Sequence, residues 1–292
     1  MIKTGYYEVA GHRFSVTAGE RLLALMTNYE PFVVADNGQD PLFSLTVNKA
    51  GRDGSESADA LRLPPGFKEE MTQDDDGTVV ISGHIAKSPV FVFRWDGLTA
   101  GWVVCSEDFR EGSLYLTGNF VKPAIDNALM ILCALATADR GTALFHSAVV
   151  SHNGRGFMFL GTSGIGKSTH ARLWLKYIPD TELVNDDNPV VRDGVVYGSP
   201  WSGKTPCYRN VKYPVGGLVM LSQAPYNKIQ PLKGIAAYVA LVPSISGMRW
   251  NKRIADGLHA TENAIASNIP MWHLDCLPDE EAARVCQGTI DS

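Results

Sequence analysis

The chain has 292 residues, of which 45% are hydrophobic and 20% are charged, and its formal net charge is −5. This composition is typical of a soluble globular protein with one large domain or two smaller ones. The sequence has no run of Lys and Arg, which argues against a nucleic-acid partner.

Targeting signals are not expected either. The N-terminal stretch "MIKTGYYEVAGHRFSV" lacks the apolar region of a secretory signal. The longest uncharged helical pattern, residues 127–138, is too short to span a bilayer, so no membrane partner is expected. Five scattered cysteines without a C-x-x-C pair argue against a disulfide framework or a zinc site. We therefore expect a cytoplasmic protein, and the sequence leaves its oligomeric state open.

Residues 1–120 are predicted to form a β-rich N-terminal domain. Short apolar runs such as "TVVISGHI" and "VFVFRWDG" are separated by clusters of Gly, Asp and Pro. We find no repeat and no catalytic motif in this segment. A scaffolding or recognition role is the default expectation for such a domain, and its specific role stays open.

Residues 121–292 are predicted to form an α/β domain. The stretch "VKPAIDNALMILCALATADRG" predicts a helix, with Pro123 near its start and Gly141 at its stop. The pair Asn153-Gly154 between two apolar runs predicts a tight hairpin. The segments that follow alternate between strand and helix patterns, and the tail predicts a strand followed by a helix.

Two stretches match the phosphate-binding pattern G-x-x-x-x-G-K-[ST]: "GTSGIGKS" at residues 161–168 and "GSPWSGKT" at residues 198–205. The first follows the apolar run "FMFL" and precedes a helix pattern, which is the context that a nucleotide site needs. Its amide groups would surround phosphate oxygens, Lys167 would reach the β- and γ-phosphates, and the Ser168 hydroxyl would bind Mg²⁺. The predicted nucleotide-binding residues are Gly161, Thr162, Ser163, Gly164, Ile165, Gly166, Lys167, Ser168 and Thr169.

The second match fails the same test. Pro200 has no N–H to offer a phosphate, Pro206 follows the motif, and no helical pattern comes after it. The segment "VVRDGVVYG" just before it is typical of a hairpin that folds back. We therefore predict that the second loop serves the acceptor side of the site, with Lys204 facing the transferred phosphate.

Two acids and a histidine complete the predicted site. Asp186 and Asp187 end an apolar strand, and both can enter one site only if the strand ends there and the backbone curls. We assign Asp186 as the base that deprotonates the acceptor and Asp187 as the metal ligand, although the reverse assignment stays open. His146, on the first strand of the hairpin before the P-loop, is predicted to support the base. His170 is interpreted as a surface or packing residue.

The combination "FHSAVV…GFMFLGTSGIGKSTHARLWL…LVNDD" resembles the HPr kinase/phosphorylase family, whose catalytic domain is related to phosphoenolpyruvate carboxykinases. The resemblance covers roughly residues 120–290. It maps the family's histidine onto His146, its phosphate loop onto residues 161–168 and its paired acids onto Asp186 and Asp187. The glycine-rich second signature of HPr kinases is missing here, so the resemblance does not imply HPr as the substrate.

The resemblance implies an α/β, P-loop-containing HPr kinase/phosphoenolpyruvate carboxykinase-like catalytic domain with a mixed sheet, preceded by the β-rich N-terminal domain. The expected activity is transfer of the γ-phosphoryl group of ATP, with Mg²⁺, to a hydroxyl of a protein, peptide or small molecule, and serine is the expected acceptor. Two alternatives stay open: a carboxykinase-like enzyme acting on an oxaloacetate-type acid, and a non-catalytic module that senses ATP.

Overall fold

The computed structural model describes residues 1–49, 63–75, 77–203 and 205–291. The chain divides into two compact units, Met1–Ala136 and Thr137–Ser292. Both units contain helices and mixed sheet, so the predicted α/β class is confirmed. The division falls in the last turn of the helix Val121–Thr137, whereas the sequence pattern suggested a boundary before that helix. In the described residues, no helix is both long and apolar enough to cross a bilayer.

The first unit is built on one mixed sheet, in agreement with the β-rich character predicted for it. Its strands are β1 Ile2–Val9, β2 His12–Gly19, β3 Phe43–Lys49, β4 Lys68–Asp75, β5 Thr78–Ile85, β6 Ser88–Trp95, β7 Leu98–Cys105 and β8 Glu111–Leu116. Its helices are α1 Glu20–Leu23, a 3-10 helix Thr27–Phe32 and α2 Val121–Thr137. The strand order is β1-β2-β3-β8-β7-β6-β5-β4, and β3 is parallel to both of its neighbours.

Part of the core of the first unit lies between this sheet and helix α2, and a second buried cluster is formed by residues of β5, β6 and β7. Aromatic rings also stack in the core of this unit, with the Phe14 and Phe43 centroids 4.9 Å apart. Helix α2 lies directly on the sheet, because a Cβ atom on Gly112 would come within 2.7 Å of Leu132 Cδ1. The missing side chain at Gly112 therefore permits the close approach of the helix.

The second unit is built on a longer mixed sheet. Its strands are β9 Thr142–Leu144, β10 Ala148–His152, β11 Arg155–Leu160, β12 Glu182–Asn185, β13 Val190–Arg192, β14 Val195–Tyr197, β15 Lys212–Gln223, β16 Lys228–Leu232 and β17 Met271–Cys276. Its helices are α3 Lys167–Tyr177, α4 Ile235–Leu241, a 3-10 helix Val242–Ser244, α5 Lys252–Asn268 and α6 Glu280–Ile290. The order is β12-β10-β11-β15-β14-β13-β9, while β17 pairs with β15 and β16 pairs with β17.

Strand directions in this sheet decide which loops meet. Strand β11 is parallel to β15, and β15 is parallel to β17. Strand β10 is antiparallel to both β11 and β12. Consequently the carboxyl ends of β11, β12, β15 and β17 and the amino end of β10 all lie at one edge of the sheet.

Turn chemistry explains the two hairpins of this unit, and both were predicted. Asn153 and Gly154 have φ angles of 50° and 72°, and Asp193 and Gly194 have φ angles of 51° and 74°. Two successive positive φ angles are typical of type I′ turns, which match the twist of paired strands. The tail forms a strand followed by helix α6, as predicted, and the Asp279 side chain caps this helix by accepting from the Ala282 amide.

Helices α3 and α6 cover one face of the sheet and bury its main core. Trp174 is fully buried there, between the helices and the strands. The buried members of this cluster are Ala148, Val150, Phe157, Phe159, Ala171, Trp174, Ile178, Val219, Leu221, Leu274, Ala283, Cys286 and Ile290. Packing of this kind holds α3 rigidly behind the loop that precedes it.

The far end of the β10–β11 hairpin is fixed by Asp291, which follows α6. Its carboxylate accepts a hydrogen bond from Asn153 Nδ2 at 2.9 Å, forms an ion pair with Arg155 and lies 3.4 Å from His152 Nε2. Burial alone would raise the pKa of Asp291, but the hydrogen bonds from Asn153 and Arg155 and the neighbouring positive charges lower it. The end of α6 is therefore fixed to the turn between the two strands.

Candidate phosphoryl-transfer site

The P-loop, residues 161–168, has the backbone conformation that its glycines allow. Strand β11 ends at Leu160, and helix α3 begins at Lys167. Gly161, Gly164 and Gly166 have φ angles of 140°, 77° and 117°, a region that other residues rarely adopt. The loop therefore turns sharply from the strand into the helix, and the first amides of α3, which have no acceptor inside the helix, point toward its mouth.

The Lys167 side chain folds back over this loop. Lys167 is only 7% exposed, and its ammonium group donates to Gly161 O at 3.0 Å and to Thr162 O at 3.2 Å. A positive charge is thus held directly beside the helix N-terminus. Such a combination favours a bound anion with several oxygens, such as a di- or triphosphate.

His170 lies one turn further along α3 and is part of the core. The residue is 2% exposed, and its Nε2 accepts a hydrogen bond from Trp174 Nε1 at 3.2 Å. Burial lowers the pKa of His170 to about 4, because the charged ring would lose its hydration. Of the surface and packing roles expected from the sequence, His170 therefore has the packing role.

The backbone curl required by the acid pair is present, and Asn185 produces it. Strand β12 ends at Asn185, whose Oδ1 accepts from the amides of Asp187 at 2.9 Å and Asn188 at 2.8 Å. This side chain is fully buried and closes a turn around the two acids. Asp186 and Asp187 consequently follow each other around a bend instead of alternating across a strand.

The two acids differ in their surroundings. Asp186 is 4% exposed, and its Oδ2 accepts a hydrogen bond from the Thr205 amide at 3.0 Å. The Asp187 side chain is 30% exposed, and its Oδ2 accepts from Asn188 Nδ2 at 2.6 Å. His146 Nδ1 lies 3.6 Å from Asp187 Oδ1. Asp186 is therefore fixed to the second loop, and Asp187 is the more accessible carboxylate.

His146 lies just before β10, in the link from β9, rather than within a strand as the sequence suggested. The backbone amides of His146 and Ser147 do not take part in strand pairing. His146 N donates a hydrogen bond to Ser244 O, and Ser147 N donates one to Asp187 O. Phe145 N also donates to Pro189 O. The chain around His146 is thus attached on both sides to the turn that carries the acids.

The sheet register brings the P-loop, His146 and the acid pair to the same edge. Ala148 pairs with Phe159 of β11, and Val149 pairs with Asn185 of β12. His146 therefore precedes β10 where the P-loop follows β11 and the acids follow β12. Neighbouring strands are about 4.8 Å apart, so these groups span roughly 10 Å across three adjacent strands.

The second loop, residues 198–205, folds back onto the acids as the sequence predicted. Asn185 Nδ2 donates to Ser199 Oγ at 3.1 Å and to Trp201 O at 3.0 Å. A Cβ atom on Gly203 would lie 3.2 Å from Asp187 Cβ, so the glycine backbone packs directly against that acid. Lys204 lies outside the described residues, and its place at the transferred phosphate stays a prediction.

The side chains at this edge include oxygen groups of the kind that Mg²⁺ prefers. No group of three or more His, Cys, Asp or Glu residues in the described part of the chain is arranged to hold a metal. Mg²⁺ with a nucleotide needs less than that, since it takes one or two protein oxygens together with phosphate oxygens and water. Ser168 at the start of α3 and one carboxylate of the acid pair supply such oxygens.

Comparisons with known proteins add no assignment. No protein-family model matches the sequence, and a search of curated proteins gave no significant match.

Proposed function

We propose that the chain is an ATP- and Mg²⁺-dependent phosphotransferase that moves the γ-phosphoryl group to a hydroxyl of a protein, peptide or small molecule. Serine is the proposed acceptor, and the second unit is the proposed HPr kinase/phosphoenolpyruvate carboxykinase-like catalytic domain. One observation carries the proposal: the P-loop, His146 and the acid pair meet at a single edge of the sheet. Phosphoryl transfer needs these parts together, since its catalysis is mostly positioning and charge stabilisation.

The P-loop is the proposed nucleotide site. Lys167 would neutralise charge on the β- and γ-phosphates, and the amides of residues 161–169 would donate to phosphate oxygens. Its present contacts with Gly161 O and Thr162 O support this role, because they hold the ammonium group at the mouth of the loop. Ser168 is a proposed metal ligand at the same place. Bound Mg²⁺ would supply positive charge that offsets the charge on the phosphate oxygens.

The contacts of the acids favour the reverse of the roles first assigned from the sequence. A base is typically oriented by a third group, and His146 contacts the accessible carboxylate of Asp187. Metal-binding carboxylates are typically held by further hydrogen bonds, and Asp186 accepts one from Thr205 N. We therefore propose Asp187 as the group that takes the acceptor proton and Asp186 as the metal ligand.

The test compares ATP binding with ATP turnover. Titration calorimetry with Mg·ATP should give binding to the wild-type protein and about 10- to 100-fold weaker binding to Lys167→Ala, which loses a charged hydrogen-bond donor. Lys176→Ala, which removes an exposed lysine near the end of the same helix, is the matched control and should bind normally. Equal affinity of all three proteins would contradict the nucleotide assignment.

Turnover decides between catalysis and sensing. The wild-type protein should release ADP from Mg·ATP slowly with water as the acceptor, and faster with serine-containing peptides. Normal ATP binding without any ADP release would favour the sensing module instead.

A further inference from the structure

A groove of about 790 Å³ lies at the edge of the second sheet that is opposite to the P-loop. Helices α4 and α5 form its sides, and Leu232 and Met271, which pair at the ends of β16 and β17, line its floor. The carboxyl end of β17 is at the P-loop edge, so the length of this six-residue strand, about 17 Å, separates the two edges. The groove is therefore distinct from the candidate phosphoryl-transfer site.

Much of the groove is lined by apolar side chains. Its apolar lining residues are Pro231, Leu232, Ile235, Ile269, Met271 and Trp272. Ile235 is 77% exposed, so a ligand in the groove would remove apolar surface from water. The volume is within the range of small-molecule sites, which are mostly apolar with a few placed polar groups.

A chain of hydrogen bonds between α4 and α5 forms the polar wall of the groove. Glu262 is ionised, since it pairs with Arg249, and a carboxylate only accepts, so Tyr238 Oη donates to its Oε2 at 3.0 Å. The hydroxyl has one proton, so His259 Nδ1, which is 2.7 Å away, must donate to it. His259 Nε2 then accepts from Asn263 Nδ2 at 3.0 Å. These bond directions fix His259 as the neutral imidazole.

The buried end of this chain holds the wall in place. The Glu262 side chain is completely buried, and its Oε1 lies 2.6 Å from Arg249 Nη2. The same nitrogen of Arg249 donates to Val242 O at 3.3 Å and to Ile245 O at 3.5 Å. Separating a buried charge from its partner is strongly unfavourable, so this pair resists rearrangement. The polar wall is therefore preformed, as in most small-molecule sites.

Lys233 determines the charge of the groove. It lies between β16 and α4, is exposed and forms no ion pair with another described residue. No Asp or Glu is among the described residues that line the groove. Because His259 is neutral, Lys233 is the only full charge in this lining. One positive charge matches a carboxylate better than a phosphate group, which carries nearly two negative charges at neutral pH.

We infer that the groove between α4 and α5 is a second ligand site, which binds a small carboxylic acid with an apolar body. The carboxylate would pair with Lys233 and accept from the Ser267 hydroxyl and from the second N–H of the Asn263 amide. The apolar body would cover Leu232 and Met271 on the floor. This inference goes beyond the proposed function, since it involves neither ATP nor the P-loop.

The experiment measures binding of three probes by calorimetry, without nucleotide. Phenylpropionate has a carboxylate and a ring, phenylpropionamide has the same shape without the charge, and acetate lacks the apolar body. Wild-type protein should bind phenylpropionate at least about threefold more tightly than the amide, because an exposed ion pair contributes modestly. It should bind acetate at least about tenfold more weakly than phenylpropionate, because acetate buries little apolar surface.

Two groove variants and a matched control locate the site. Lys233→Met should lower the affinity for phenylpropionate to that for the amide and leave the amide affinity unchanged. Ser267→Trp, which fills the groove from an exposed position on α5, should weaken both by at least about tenfold. Lys228→Met removes an exposed lysine of β16 that does not line the groove, and it should change neither affinity. Circular dichroism verifies that each variant is folded.

Three results would overturn the inference. They are a wild-type protein that does not bind phenylpropionate, a wild-type protein that binds the amide as tightly as the acid, and unchanged phenylpropionate affinity in both groove variants. None of these results bears on Mg·ATP binding at the P-loop. The groove assignment and the proposed function therefore fail separately.

Discussion

Asn185 offers the most direct test of how the acid pair is held. Its fully buried amide makes four hydrogen bonds, two to the turn that carries the acids and two to the second loop. In Asn185→Ala, the amides of Asp187 and Asn188 lose their acceptor. Each buried unpaired amide costs about 1–3 kcal/mol, so the free energy of unfolding should fall by about 2–6 kcal/mol. With a slope of about 2 kcal/mol per molar urea, the midpoint should move down by roughly 1–3 M.

The same variant should separate ATP binding from turnover. The P-loop lies two strands away from Asn185 in the sheet, so Mg·ATP should lose only the contribution of the displaced metal ligand Asp186, and its affinity should fall much less than turnover in conditions where the protein is folded. ADP release should drop strongly, because neither acid keeps its position. Calorimetry and a coupled ADP assay, both run well below the urea midpoint, measure the two effects.

Asn268→Ala is the matched control, since its exposed amide donates only to a carbonyl of its own helix. It should change stability by less than about 0.5 kcal/mol and leave turnover intact. Wild-type stability and turnover in Asn185→Ala, or an equal loss of ATP binding and turnover, would refute the role of Asn185 in holding the acids.

Three further predictions concern single side chains. Asp187→Asn should lower turnover by about 10²–10⁴-fold while ATP still binds, and Asp186→Asn should shift the dependence of turnover on Mg²⁺ concentration. The opposite pattern would make Asp186 the base and Asp187 the metal ligand, as first assigned from the sequence. Lys204→Ala should cost turnover by about 10²–10³-fold and leave ATP affinity nearly unchanged, and a large loss of binding would mean that residues 198–205 hold the nucleotide. His170 should make stability fall by about 3 kcal/mol in acid: its folded pKa is lowered to about 4 from 6.5, so stability present above pH 6.5 is lost as the pH falls toward 4. His170→Phe should flatten that part of the stability profile in urea titrations at several pH values, and an unchanged profile would contradict the burial argument.

Much of the second unit could be predicted because its signals are local. The P-loop glycines, the Asn153-Gly154 turn and the Asp279 cap each act within a few residues, so the sequence alone indicates them. The curl at the acid pair was also foreseeable, since two adjacent acids cannot otherwise share a site. The P-loop glycines and the adjacent acids are therefore sufficient to predict most candidate site residues from the sequence.

Other features depend on contacts between distant parts of the chain. The clamp that Asn185 forms with Ser199 and Trp201 joins two loops, and no spacing rule indicates it. No prediction covered α4 and α5, although Asn251 caps α5 by accepting from the Ile254 amide, a signal that was present in the sequence. The cleft of about 570 Å³ beside the P-loop was not predicted either, because its walls come from α3 and from the ends of β15 and β17, which lie far along the chain.

The anchoring of the β10–β11 hairpin has a consequence for motion. These strands are paired from Ala148–Phe159 to His152–Arg155, and Asp291 secures their turn. His146 and the P-loop therefore adjoin the same end of one rigid hairpin, whose turn is anchored by Asp291, and bending of the hairpin cannot bring them closer together. Any closing movement that adjusts the distance between the phosphoryl donor and its acceptor has to come from segments outside this hairpin. The segment best placed to do so consists of residues 198–203 and Thr205, since these contact the turn that carries the acids through side-chain and amide hydrogen bonds rather than through the strand ladder.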